Sequence, residues 1–127
     1  MIGYVTLGTN QLPQAVAFYD RLFEPLGIGR FMESEGHYVA WARNAHEPSL
    51  AVTRPFDGNA ATIGNGVMVA LAVSNPHEVK TLHAKALALG ATDEGAPGPR
   101  GAGFYAAYFR DLDGNKLNVF CMEAQAT

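Results

Sequence analysis

The stretch RDLDGNKLNVF, residues 110 to 120, contains the chain's first candidates for chemistry. DLDGN places an Asp-Gly pair where a tight hairpin needs positive φ, and KLNVF reads as the strand after it, with Asn118 as its amide-bearing side chain. DxDG also invites a calcium reading. The EF-hand loop, however, places Gly sixth and Glu twelfth, whereas here Gly114 is fourth from Asp111 and Met122 is twelfth, so a turn is expected. His37 heads the strand-like run HYVAWAR and has the imidazole a general base needs. Alternation puts His37, Val39 and Trp41 on one face and Tyr38, Ala40 and Ala42 on the other, and leaves open which is functional. In GAPGPRGAG, residues 95 to 103, Arg100 precedes Phe104 and Tyr105, where a guanidinium fork on a mobile loop would suit an anionic or planar ligand. Arg54 has a weaker form of the same claim. The glycines there do not form a dinucleotide fingerprint, because an aromatic strand rather than a helix follows. His77, His83 and His46 are expected at surface or boundary positions, and Cys121 as a buried free thiol.

The elements that position these residues repeat. Residues 4 to 29 run apolar strand, polar turn with Pro13, a helix carrying Val16, Phe18, Tyr19 and Leu22, then Leu-Gly. Residues 67 to 92 repeat the order with Pro76, Val79, Leu82, Ala86, Leu89 and Leu-Gly, offset by 63 or 64 residues. Asn10 and Asn75 mark the helix entries, and glycines the exits. After the first helix come a short strand near 30 to 33, HYVAWAR and SLAVTRPF; after the second, one near 91 to 94, FYAAYFR and KLNVF. Each unit reads strand, helix, strand, strand, strand, with a first module of about 1–62 and a second of about 63–127 in a single domain of 1–127.

In their order and duplication, YVTLGTNQLPQAVAFYDRLFEPLG, GNGVMVALAV and FRDLDGNKLNVF resemble the vicinal oxygen chelate superfamily of glyoxalases, bleomycin-resistance proteins and extradiol dioxygenases. The resemblance covers nearly the whole chain. It implies an α+β fold in which two tandem βαβββ modules form a curved, mixed eight-stranded sheet with helices outside and a ligand cleft inside, and it implies a homodimer. Phe31, Trp41 and Phe56 are aromatic anchors for such a pairing. The family's metal-ligand positions fall on Tyr4, Ala51, Met68 and Asn118. No metal and no cofactor are therefore expected, since amides and thioethers hold hard or borderline cations weakly.

Alternation assigns Val5, Leu7, Leu50, Val52, Val69, Leu71, Leu117 and Val119 to the helix-facing side. It leaves Tyr4, Thr6, Ala51, Thr53, Met68, Ala70, Asn118 and Phe120 for the cleft, joined by Arg100 and Tyr105 as ligand contacts. The expected function is metal-independent binding of a small partly aromatic or anionic molecule. The alternative is an enzyme, lyase, isomerase or dioxygenase-like, using His37 or Tyr4 as acid/base or a metal set not evident in the sequence.

Composition narrows the rest. With 127 residues, 48% hydrophobic and 17% charged, the chain suits one packed domain. A formal net charge of −3 with only 9 Lys+Arg gives no footprint for nucleic acid. No run approaches the roughly 18 apolar residues of a membrane span, so no membrane partner and a cytoplasmic location are expected.

Overall fold

The computed structural model describes residues 1–123. It divides into two compact units, Met1–Gly64 and one beginning at Asn65. The first contains β1 (Tyr4–Gly8), α1 (Leu12–Phe23), a short 3-10 turn (Glu24–Leu26), β2 (Gly29–Ser34), β3 (Tyr38–Ala42) and β4 (Ser49–Thr53). The second contains β5 (Val69–Ala72), α2 (Pro76–Ala88), β6 (Thr92–Pro99), β7 (Phe104–Arg110) and β8 (Lys116–Met122). The eight strands divide into two four-stranded mixed sheets, ordered β1-β4-β3-β2 and β5-β8-β7-β6. Each unit is thus an α+β module of the expected βαβββ order. In both, the first strand pairs in parallel with the last and all other pairs are antiparallel.

In the first unit, alternation sends Leu7, Val39, Trp41, Leu50 and Val52 into the core against Ala15, Phe18, Tyr19, Leu22 and Phe23 of α1. Val16, expected on that apolar stripe, is only half-buried. Trp41 is 1% exposed, with its ring centroid 5.4 Å from Tyr19 and 6.1 Å from Phe23. It is therefore a core residue and unavailable as a dimer anchor, whereas Phe31 and Phe56 are exposed. Burying an indole requires a partner for its N–H, and Trp41 Nε1 donates to Asp20 Oδ1 at 2.9 Å. Arg30 closes the group from β2, donating to the same carboxylate through Nε at 3.0 Å and Nη2 at 2.7 Å.

In the second unit, Val79, Leu82 and Ala86 of α2 face a core that includes Ala107, Phe109, Leu117, Val119 and Cys121. Asn75 caps α2 by accepting from the Glu78 N–H at 2.9 Å. At the other helix the entry differs from expectation: Gln11 is the cap residue and makes no side-chain cap bond. Asn10 instead holds Ala61, donating to its carbonyl at 3.0 Å and accepting from its N–H at 2.7 Å.

His83 departs from the surface position expected of it. It is 5% exposed, and its Nε2 lies 3.0 Å from Asp93 Oδ1 on β6. The Gly95 N–H and then His83 hold the Asp93 carboxyl below its ordinary range. Cys121 is buried as expected, and desolvation raises its thiol pKa, which keeps it protonated and unreactive.

Asp20 generates a test. Arg30 first and Trp41 after it hold its carboxyl below the usual range, against the opposing effect of burial. Its ionised form therefore stabilises the fold fully above the ordinary carboxylate pKa of about 4, and that contribution is lost as pH falls through the lower folded value. Asp20→Ala strands a buried indole N–H and is expected to cost about 1–3 kcal/mol in urea unfolding at pH 7. Asp20→Asn keeps an acceptor and loses mainly a half-exposed ion pair, so it is expected to cost at most about 1 kcal/mol, a difference that shrinks in acid. Equal losses for the two variants at pH 7 would contradict this division.

Candidate functional site

The face of the first sheet opposite α1 is the best-formed candidate. Tyr4 and Thr6 of β1, Tyr38 and Ala40 of β3, and Ala51 and Thr53 of β4 all project there, because each alternates with a core residue. The register pairs Thr6 with Ala51 and Ala40 with Ala51, so two methyl side chains form a floor. A β-bulge between Arg30 and Met32 breaks the alternation of β2 and brings both Phe31 and Met32 to the rim. The resulting recess has a volume of about 470 Å³. Tyr4 is 70% exposed, so its phenol is accessible. The Thr53 hydroxyl is placed to donate to the backbone carbonyls of His37 at 3.2 Å and Arg54 at 2.9 Å, leaving it an acceptor towards a ligand.

Charge in this recess is sparse. Glu47 is its one carboxylate, and it pairs with Arg43 at 3.3 Å. No Lys, Arg or His lines it. A divalent metal needs several imidazoles or carboxylates, so this donor set does not fit one. Among the described residues of the whole chain, no group of three or more His, Cys, Asp or Glu side chains lies close enough to hold an ion.

His37 projects from the other face. It alternates with Tyr38, on the side of Val39 and Trp41, and lines a separate recess with Arg54 at the end of the sheet. The face that alternation left open is therefore decided: Tyr38 and Ala40 accompany Tyr4, and His37 does not.

In the second sheet the pairing of β7 with β8 sorts the remaining candidates. Phe104, Ala106, Tyr108 and Arg110 share the face away from α2 with Asn118, Phe120 and Met122, while Tyr105, Ala107 and Phe109 share the helix face with Cys121, Val119 and Leu117. Tyr105, expected as a ligand contact, is thus on the helix side, where Lys80 of α2 lies 6.0 Å from its ring centroid. Phe120 stacks near Phe104 at 5.4 Å, Ala70 is paired with Asn118, and Met68 is exposed just before β5.

The expected mobile loop at 95 to 103 is mostly strand, since β6 runs to Pro99. Arg100 does not offer a free fork. Its Nη1 donates to Gly98 O at 2.8 Å and its Nη2 to Ala96 O at 2.7 Å, and the guanidinium lies 5.6 Å from the Tyr108 ring centroid. The DLDGN turn likewise uses its own carboxylate: Asp111 Oδ1 accepts from the Asp113 and Asn115 N–H groups, both at 2.9 Å.

Asn118 is 1% exposed, and its Nδ2 donates to Ala107 O at 3.0 Å across the β7–β8 pair. The donor half of this amide is committed to its own sheet. Asn118→Ala is accordingly expected to lower stability by about 1–3 kcal/mol, because a buried carbonyl loses a donor. Urea unfolding with an unchanged midpoint would show that the amide carries no structural weight.

These modules can be compared with known proteins. The family model described as Glyoxalase/Bleomycin resistance protein/Dioxygenase superfamily matches residues 1–119. A crystal structure of a glyoxalase/bleomycin resistance protein from Albidiferax ferrireducens T118 is 34% identical, with a TM-score of 0.86 over 95% of this chain and 98% of that one. Lactoylglutathione lyase from Agrobacterium tumefaciens is similar in fold at 22% identity and TM-score 0.70, covering 95% of this chain and 92% of its own. TioX from Micromonospora sp. ML1 is similar at 18% identity and TM-score 0.69, covering 96% and 98%. No functionally curated protein matches the chain at a significant level. With the family model spanning nearly the whole chain and a solved relative at 34% identity, the chain belongs to the Glyoxalase/Bleomycin resistance protein/Dioxygenase superfamily.

Proposed function

We propose that this family member binds a small, partly aromatic molecule on the open face of the first sheet, and that it does so without the metal its family's enzymes use. The observation that carries the reading is the character of the 470 Å³ recess. Its floor is methyl groups, its walls are Tyr4, Tyr38, Phe31 and Met32, and its polar groups are hydroxyls and the Glu47 carboxylate. Mostly apolar walls with a few hydroxyls suit a planar ligand fixed by one or two hydrogen bonds. An anionic ligand has less support there, because the recess holds a carboxylate and no cation.

The enzymatic alternative, a lyase, isomerase or dioxygenase-like activity, loses one of its supports. Tyr4 and His37 leave opposite faces of the sheet, so they cannot act as an acid–base pair on one bound molecule. Of the two, Tyr4 alone lines this recess.

A thermal-shift screen of planar aromatic compounds, run with and without chelator, tests the proposal. Binding is expected to survive chelation, and Ala51→Leu, which fills the floor without touching the helix-side core, is expected to weaken it about tenfold or more. A stoichiometric zinc, nickel, iron or manganese whose removal abolishes binding would overturn the metal-independent part. Undiminished binding by a folded Ala51→Leu protein would move the ligand elsewhere.

The same proposal includes a homodimer. Of the aromatic anchors expected for it, Phe31 and Phe56 are exposed and available for a partner chain. Sedimentation at micromolar concentration is expected to return twice the chain mass, and a monomer there would remove the dimer from the reading.

A further inference from the structure

The second recess of the first unit has the opposite chemistry. It lies at the end of the sheet where β3 begins and β4 ends, and has a volume of about 790 Å³. The Arg54 N–H donates to His37 O at 2.9 Å, which sets these two residues side by side just beyond the Tyr38–Thr53 pair. Both follow the alternation to the helix side. Gln11 and Gln14 from α1 and Asn59 from the loop after β4 complete the polar lining with amides. Not one Asp or Glu lines the recess, in a chain whose formal charge is −3.

The loop that closes it is held in place. Asn10 bonds Ala61 through both halves of its amide, and Asn59 N–H donates to Asp57 Oδ1 at 2.9 Å. Phe56, carried on this loop, has its ring in solvent. Arg54 lines the recess, is exposed, and makes no ion pair among the described residues, so its guanidinium is uncommitted to any carboxylate there.

We propose that this recess is a second ligand site, separate from the one on the open face, which takes a small aromatic carboxylate. Arg54 receives the carboxylate as a bidentate fork, His37 and the Gln14 and Asn59 amides supply further donors, and Phe56 covers the ring. A planar fork matched to a planar carboxylate gives orientation as well as attraction, and an aromatic side chain at the rim contributes where inorganic anions gain nothing. Because Arg54 is exposed, the attraction falls as salt rises.

The test uses benzoate, with benzamide and inorganic phosphate as controls, followed by amide chemical shifts in the full chain. Benzoate is expected to perturb residues 9–14 and 54–60 while leaving Thr6, Ala40 and Ala51 of the open face unmoved. Arg54→Ala is expected to weaken it about tenfold or more, and Phe56→Ala to weaken benzoate but not phosphate. Lys85→Ala, which removes a cation that lines neither recess, is expected to leave benzoate binding unchanged. Failure of benzoate to bind at millimolar concentration, or equal binding by Arg54→Ala, would overturn the site. Phosphate or benzamide binding as tightly as benzoate would overturn its assignment to an aromatic carboxylate. Shifts confined to the open face would assign benzoate to that recess and likewise overturn this one. The proposed open-face function stands or falls separately, since its own test depends on Ala51.

Discussion

The parallel pairing of the first strand of each module with its last is the constraint on which the rest depends. β1 and β4 are separated by a helix and two strands, yet their register, Val5 to Leu50 and Thr6 to Ala51, decides which side chains share a face. A slip of one residue would move Leu50 and Val52 out of the core and Ala51 into it. The register is strongly specified because Leu7, Leu50 and Val52 are buried under α1 while Tyr4, Thr6 and Ala51 are not packed by the helix. The second module repeats the device with Val69 to Leu117 and Leu71 to Val119. The open face is therefore a by-product of core packing on the other: the residues that β1, β3 and β4 give the recess are there because their neighbours are needed beneath the helix.

Asp20 shows how the same packing controls polar chemistry. An indole as large as that of Trp41 can fill the space between α1 and β3 only if its N–H is satisfied, and one carboxylate on α1 meets it and Arg30 of β2 together. Helix, central strand and edge strand are thereby joined at a single group. The bulge that frees Phe31 and Met32 for the rim follows immediately after Arg30, so the edge strand is anchored on the residue before it changes face.

Much of this was legible in the sequence. The duplication at an offset of 63 residues, both helices, and the split between core and open-face residues on β1, β4 and β8 follow from period-2 and period-3.6 patterns, which packing enforces. The misreadings have physical causes. GAPGPR has the composition of a loop, but β6 is an edge strand, where Pro costs no ladder bond and register shifts are tolerated. Its glycines suit close approach: a Cβ at Gly95 would sit 3.0 Å from Tyr108 Cδ2, and one at Gly98 3.1 Å from Arg100 Nη1. Tyr105 was placed by its nearness to Arg100 along the chain, whereas its face is set by pairing with Cys121. His83 lies on the apolar stripe of α2, and only the arrival of Asp93 from β6 makes its burial tolerable. No local pattern announces a partner ten residues away in another element.

The two recesses of the first module separate candidates whose faces the sequence left open. Tyr4 and His37 are alternative acid/base candidates near strand starts, and the sheet separates them by alternation alone. On the open face aromatic rings and hydroxyls surround two alanines, and desolvating a planar ligand there costs little because few charges must be stripped of water. At the sheet's end a guanidinium and an imidazole meet amides with no carboxylate among the lining residues, Asp57 being turned to the Asn59 N–H of its own loop, an arrangement whose attraction is electrostatic and salt-sensitive. One module thus presents an apolar surface and a cationic one within the same 64 residues, and nothing in its packing requires them to serve the same molecule.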